Sequence, residues 1–228
     1  MRIQNVGALF IKQGKDCIKN APVLLLFFIY PVVSLILTQA MKEQAGSSEL
    51  FVSIFATMHA VFTPIVAASS FIAEEREKNT LRVLIMSNVT LREYLLSVGG
   101  FILLANLLTG CSFILYGPVK SILLFILAMA AGSLISIVLG SCISLFLKNA
   151  AAANGISVPI GILFAFLPML ANFNEKIAAV ADLTYAGQLG RLMAGKEVSP
   201  SGFIVIAFNL AILSLISGLL YKRSLLAE

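Results

Sequence analysis

Five or six runs of about 20 residues in this chain carry almost no charge beyond their first turns, and a soluble fold of 228 residues has no place for them. A backbone in hydrocarbon must satisfy its own polar groups, so such runs predict membrane-spanning helices. The expected spans are Ala21–Met41, Leu50–Ala73, Thr90–Tyr116, Ser121–Leu147, Ala151–Phe173 and Gly202–Tyr221. Pro22 suits a first helical turn, whereas Pro31, Pro159 and Pro168 predict bends. Gly117-Pro118 makes the turn between the third and fourth spans tight. Gly132, Ser136 and Gly140 form a small-residue stripe on the fourth that permits close helix contact.

Composition agrees with this reading. Hydrophobic residues make up 59%, charged residues 12%, and the mean hydropathy is +0.99. The net charge of +5 comes from Lys and Arg flanking the spans, so no nucleic-acid partner is implied. Cys17, Cys111 and Cys142 are scattered and read as small apolar filler, without a disulfide or metal pattern.

Residues 1–20 do not read as a signal peptide. Ile3, Val6, Gly7, Phe10, Gly14, Cys17 and Ile18 fall on one helical face, with basic residues mostly on the other. That pattern predicts an interfacial amphipathic helix. With the amino terminus inside and six spans, eleven Lys and Arg are cytoplasmic and five are outside. Both termini are then expected to be cytoplasmic.

The most informative stretch is the charged island Ala73–Val98. Glu74 and Lys78 are four apart with the acid first, the favourable order for a helix-face pair. Asn79 tolerates the left-handed backbone that ends a helix. Leu81, Leu84 and Ile85 give a short helix one apolar edge. Ser87-Asn88 reads as a turn, and Thr90 to Glu93 fits a capping box with Val89 and Tyr94 as its hydrophobic staple. Charge alone fits equally a juxtamembrane cluster that only fixes topology.

The ordered motif favours more than that. Glu75, Arg76, Glu77, Thr80, Leu81, Arg92 and Glu93 resemble the cytoplasmic loop of ABC type-2 exporter permeases, whose pattern is E-R-E-x-G-T-L, a small-residue turn and R-x-E/R. Asn79 stands where that family usually has Gly, Asn88 where it often has Pro, and Val98 where a basic residue is common. The resemblance implies that residues 74–92 are a coupling loop docking on a separate ATPase. Its coupling residues would be Glu74, Glu75, Arg76, Glu77, Asn79, Thr80, Leu81 and Arg92.

Residues 172–200 are too polar to span, yet contain apolar segments suited to an interfacial or re-entrant position. Leu183-Thr184-Tyr185, Arg191 and Gly195 resemble the P-L-T-Y-x5-R-x3-G element before the last span of the same family, with Asp182 in place of its leading Pro. The resemblance makes Leu183, Thr184, Tyr185 and Arg191 an outer gate. An ordinary amphipathic outer loop is the alternative.

Several function classes lack their residues. No phosphate-cradling GxxxxGK[ST] occurs, so the chain is not expected to be the ATPase. The apolar bodies of the spans hold no Asp or Glu, which disfavours a self-sufficient ion-coupled carrier and leaves His59 as the one candidate for substrate contact, proton transfer or helix packing. No HExxH or GxSxG is present.

The expected protein is thus a single all-α membrane domain over 1–228: an interfacial helix, six transmembrane helices and a re-entrant or interfacial segment before the last. The resemblance implies an exporter permease working as a homo- or heterodimer in the cell membrane, binding no cofactor of its own, with ATP and Mg bound by partner ATPase subunits. Uncharged spans suggest a hydrophobic or amphipathic cargo such as a peptide, antibiotic or lipid-like molecule. A non-transporting scaffold or immunity protein, and a secondary carrier using His59, are the competing expectations.

Overall fold

The computed structural model describes residues 3–41, 47–147 and 149–226, with side chains described for 4–41, 48–147 and 149–220. Arg2, Lys42 and Lys148 of the charge count, and the side chains of Lys222 and Arg223, lie outside the described residues.

Every regular element among the described residues is a helix. Helix α1 (Ile3–Lys19) leads into α2 (Ala21–Ala40), α3 (Ser47–Glu77), the short α4 (Thr80–Met86), α5 (Leu91–Gly110), α6 (Ser112–Tyr116), α7 (Ile122–Phe146) and α8 (Ala150–Leu170). Two short helices, α9 (Glu175–Ala181) and α10 (Tyr185–Met193), precede the last, α11 (Pro200–Leu226). Among the described residues six stretches are long and apolar enough to cross a membrane: Ala21–Ala40, Ser48–Glu77, Leu91–Tyr116, Ile122–Phe146, Ala150–Leu170 and Pro200–Leu220. The protein is an all-α, multi-pass membrane protein. The third expected span is composite, with α5 and α6 meeting at Cys111.

Local chemistry explains where the helices begin. Asn20, Ser121, Asn149 and Thr184 accept from backbone N–H groups of the first turns of α2, α7, α8 and α10. Thr90 and Glu93 form the reciprocal capping box of α5.

Helix α3 is the axis of the bundle. Its apolar window is 72% buried, against none for that of α11, because α2, α5, α7 and α8 pack around it. It continues one turn past Ala73, the expected end of the span, toward the helix end expected at Asn79, so Glu74–Glu77 are helical and lie among the ends of its neighbours. The small-residue stripe of α7 faces α3 and α10. A Cβ on Gly140 would stand 2.3 Å from the Ile65 backbone oxygen, and one on Gly132 would stand 2.7 Å from Leu189 Cδ1. At Gly140 only a residue without a side chain lets the α3 and α7 backbones approach so closely.

Two apolar clusters divide the bundle. One surrounds Ile65, Phe113, Met129, Tyr185 and Leu189; the other joins Leu9 and Cys17 of α1 with Phe71, Ile72, Leu81, Tyr94 and Ile102 at the charged end. Helix α1 packs on the bundle by a face offset from its apolar stripe. Leu9, Gln13 and Cys17 are buried, whereas Ile18 is 72% exposed. The α1 face is set by packing on α5, where Phe10 meets the edge of the Phe101 ring, and by Gln13 donating to Glu75. Polarity by itself gives no such information.

Candidate functional site

Four consecutive residues at the end of α3 reach four different neighbours. One turn of helix distributes four side chains around its whole circumference, so this requires the end of α3 to be surrounded. Glu74 accepts from Asn20 Nδ2 at 3.4 Å and pairs with Lys78. Glu75, 7% exposed, accepts from Lys12, from Gln13 Nε2 at 3.3 Å and from the Thr80 hydroxyl at 2.7 Å. Arg76 Nη1 donates to the backbone oxygens of Ser144, Leu145 and Leu147. Glu77 Oε2 accepts from the Ala150 N–H at 2.8 Å.

Charge placement follows from these contacts. Burial pulls the Lys12 ammonium down, but its hydrogen bond to Glu75, the Glu75 charge and Asp16 outweigh this and hold its pKa above the ordinary 10.5. The exposed Lys78 is raised by its hydrogen bond to Glu74 and by that carboxylate's charge.

Asn79 breaks the helix with φ of 56°, in the left-handed region its short amide tolerates. The chain re-enters helix at Thr80, and Leu81 anchors α4 by burying itself in the core at 5% exposure. The turn after α4 places Asn88 at φ of 65°. Beyond it, the Thr90 N–H donates to Glu93 Oε2 at 3.0 Å and the Glu93 N–H to Thr90 Oγ1 at 3.3 Å.

The eight coupling candidates therefore divide. Glu75 and Leu81 are buried, Glu74, Arg76 and Thr80 are half-buried, and Glu77, Asn79 and Arg92 are exposed. The face that α4 turns outward is made by residues outside that set: Arg82, Val83 at 64% exposure and Met86 at 78%. Their signal was present in the sequence. Val83 and Met86 are apolar residues off the Leu81/Leu84/Ile85 edge, and a short helix apolar on two sides has more than one partner to meet.

The second region lies at the opposite end of the bundle. Helices α9 and α10 form a hairpin whose α10 arm enters the core. Tyr185 is fully buried, its hydroxyl 2.9 Å from Ser136 Oγ near the middle of α7 and its ring stacked on Phe164. Thr184 caps α10 by accepting from the Gly187 N–H at 3.1 Å. Gly187 is seated on the Ala181 carbonyl, where a Cβ would come within 2.1 Å. Asp182, in the position of the family's Pro, pairs with Arg191 at 2.6 Å and its backbone oxygen accepts from Gln188 Nε2 at 2.7 Å. Leu183 stays 71% exposed. A cavity of about 380 Å³ lies between the starts of α3 and the ends of α8, α9 and α10, with Ser53, Thr57, Asp182 and Arg191 on its walls.

His59 belongs to neither region. It has no exposed surface, and its Nε2 lies 3.1 Å from both the Asn106 backbone oxygen and Thr109 Oγ1. Its Nδ1 is 3.4 Å from Thr63 Oγ1, and Asn106 Nδ2 continues the network to Ser133 at 2.9 Å. This arrangement joins α3, α5 and α7 by polar contacts inside the bundle.

A family model described as ABC-2 family transporter protein matches residues 27–220. No curated protein matches the chain.

Proposed function

The chain belongs to the ABC-2 transporter family, as a match over most of its length shows, and is a membrane permease component of an ABC transporter; from this we propose that a separate ATPase subunit docks on the outward face of α4 and drives export of a hydrophobic or amphipathic cargo. The observation that carries the docking site is the exposure of Val83 and Met86 on a helix whose other edge is fixed in the core by Leu81. Exposed apolar side chains, with the exposed Arg82 on the same helix and Arg92 at the start of α5, fit a protein partner with an apolar centre and an acidic rim.

In this reading the charged end of the bundle is cytoplasmic, in line with the excess of Lys and Arg there. Glu74, Glu75, Thr80 and Leu81 act from behind the docking face by holding α4 at a fixed angle to α3. Closure of the ATPase subunits around ATP and Mg would displace α4, and the capped start of α5 would pass that displacement to the neighbouring spans. Two permease copies would enclose the cargo route, and Leu183, Thr184, Tyr185 and Arg191 of the α9–α10 hairpin, beside its cavity, would gate the exit. The apolar spans, free of acidic residues in their bodies, suit an uncharged or amphipathic cargo better than a small ion.

The test is co-purification with a candidate ATPase encoded beside the chain, comparing wild type with Val83→Asp/Met86→Asp. Loss of the complex by a variant that still inserts and elutes as wild type does supports docking on α4. A complex of undiminished stability places the ATPase elsewhere, and the absence of any complex with the wild type removes the ATP-driven reading.

A further inference from the structure

The end of α7 and the start of α8 are held by two adjacent charges of α3, each set on a helix end of opposite sign. The last carbonyls of a helix have no intrahelical partner and carry the negative end of its dipole. Arg76 Nη1 lies 2.8 Å from the Ser144 oxygen, 2.9 Å from that of Leu145 and 3.0 Å from that of Leu147, at the end of α7. The first N–H groups of a helix are equally unpaired and positive. Glu77 takes the Ala150 N–H at the start of α8, while Asn149 takes that of Ala152 at 2.7 Å. Among the described residues neither Arg76 nor Glu77 forms an ion pair with another side chain. Their partners are the helix ends themselves.

The same turn of α3 holds α4. The Thr80 hydroxyl donates back to Glu75, and Lys78 N–H and Asn79 N–H bond to the Glu74 and Arg76 oxygens at 3.0 and 3.1 Å. Only Lys78 and Asn79 separate α3 from α4. We infer that Arg76 and Glu77 are positioning residues that join the end of α7 and the start of α8 to the base of α4, so that a displacement of the docking helix reaches α7 and α8 through the last turn of α3, as well as α5. The inference rests on the docking role proposed for α4, but its mechanical part is independent of it.

The join explains why an acid follows a base at the end of a buried span. An Arg–Glu pair serving only each other could be exchanged in order. A pair clamped on two helix termini cannot be, because exchange sets a carboxylate against carbonyls and a guanidinium against N–H groups.

The experiment measures the distance between spin labels at Ser87→Cys and Ala151→Cys, with Cys17, Cys111 and Cys142 replaced by alanine. The chain is studied in lipid discs, alone and in complex with its ATPase, with and without trapped ATP. In the otherwise wild-type chain the distance should be narrowly distributed and should change by less than ~2 Å on ATP trapping, the size of an ordinary helix adjustment. Arg76→Gln/Glu77→Gln should broaden it in the chain alone, and the exchanged Arg76→Glu/Glu77→Arg should broaden it at least as much. Arg76→Lys, which keeps the charge but not the planar fork, should lie between.

A wild-type shift of about one helical turn, roughly 5 Å, on ATP trapping would overturn the inference. So would a narrow distribution in the double Gln variant, or restoration by the exchanged pair. If no ATPase binds, the docking reading fails, while broadening in the chain alone still decides the clamp.

Discussion

The Thr80 hydroxyl stands 2.7 Å from Glu75 Oε2 and 3.0 Å from the Glu75 backbone oxygen, bridging the link of Lys78 and the left-handed Asn79 between α3 and α4. The same carboxylate receives Lys12 and Gln13 of α1. Glu75 is thus the point at which the amphipathic first helix, the central span and the proposed docking helix meet.

Glu75→Ala removes a buried acceptor from three donors and should destabilise the permease by about 2–3 kcal/mol, while Thr80→Val should cost about 1 kcal/mol. Thermal unfolding in detergent checks the order. A cost for Glu75→Ala no greater than that for Thr80→Val would mean that the α1 contacts contribute nothing.

Alkaline titration should release α1. The folded pKa of Lys12 is raised above 10.5, so its stabilising contribution is complete below that value and disappears as pH rises through the folded one. The chain has no Trp, and Phe10→Trp would report on the contact with Phe101. Fluorescence should show no transition below about pH 10 and a change above it that Lys12→Met abolishes. A Lys12-dependent transition near neutrality would contradict the assignment.

Asn79→Gly should be tolerated, because glycine adopts a φ of 56° without cost, whereas Asn79→Val should lose about 1–3 kcal/mol. The readout is again unfolding temperature, with protease cleavage after Arg82 as a local probe of α4. Equal behaviour of the two variants would show that the left-handed turn does not fix α4.

Gly140→Ala should force α3 and α7 apart, since its Cβ would meet the Ile65 oxygen at 2.3 Å, at a cost on the order of 1–3 kcal/mol. Gly155 faces open space, so Gly155→Ala should be neutral or stabilising by up to about 1 kcal/mol. Parallel thermal melts of the two decide this, and a tolerated Gly140→Ala would rule out close helix contact there.

At the opposite end, Tyr185→Phe should cost about 1 kcal/mol or more because it strips the buried Ser136 hydroxyl of its partner. Asp182→Asn breaks a pair that is about 40% exposed on both sides and should cost less than about 1 kcal/mol. Stability measured at two salt concentrations separates them, since only the second should respond to ionic strength.

Much of the charged end is local and could be read in order along the chain. The Thr90–Glu93 box, the left-handed Asn79, the Ser87-Asn88 turn and the Glu74–Lys78 pair each involve residues no more than four apart. The Gly132, Ser136 and Gly140 stripe was also readable, because close approach needs small residues whatever the partner is. The outward face of α4 was not identified, since exposure depends on which of two apolar edges finds a core.

The sequence by itself determined that this chain spans a membrane with helices, where those helices begin, and that a charged, turn-rich segment lies between two of them. These follow from length, hydropathy and backbone conformation, which act over a single turn or a single span. Only the tertiary structure decided that Glu75 turns to α1, Arg76 to the end of α7, Glu77 to the start of α8 and Tyr185 to Ser136. Those partners are separated by roughly 50–75 residues, and a buried charge or hydroxyl takes whichever unpaired group the packed helices bring to it.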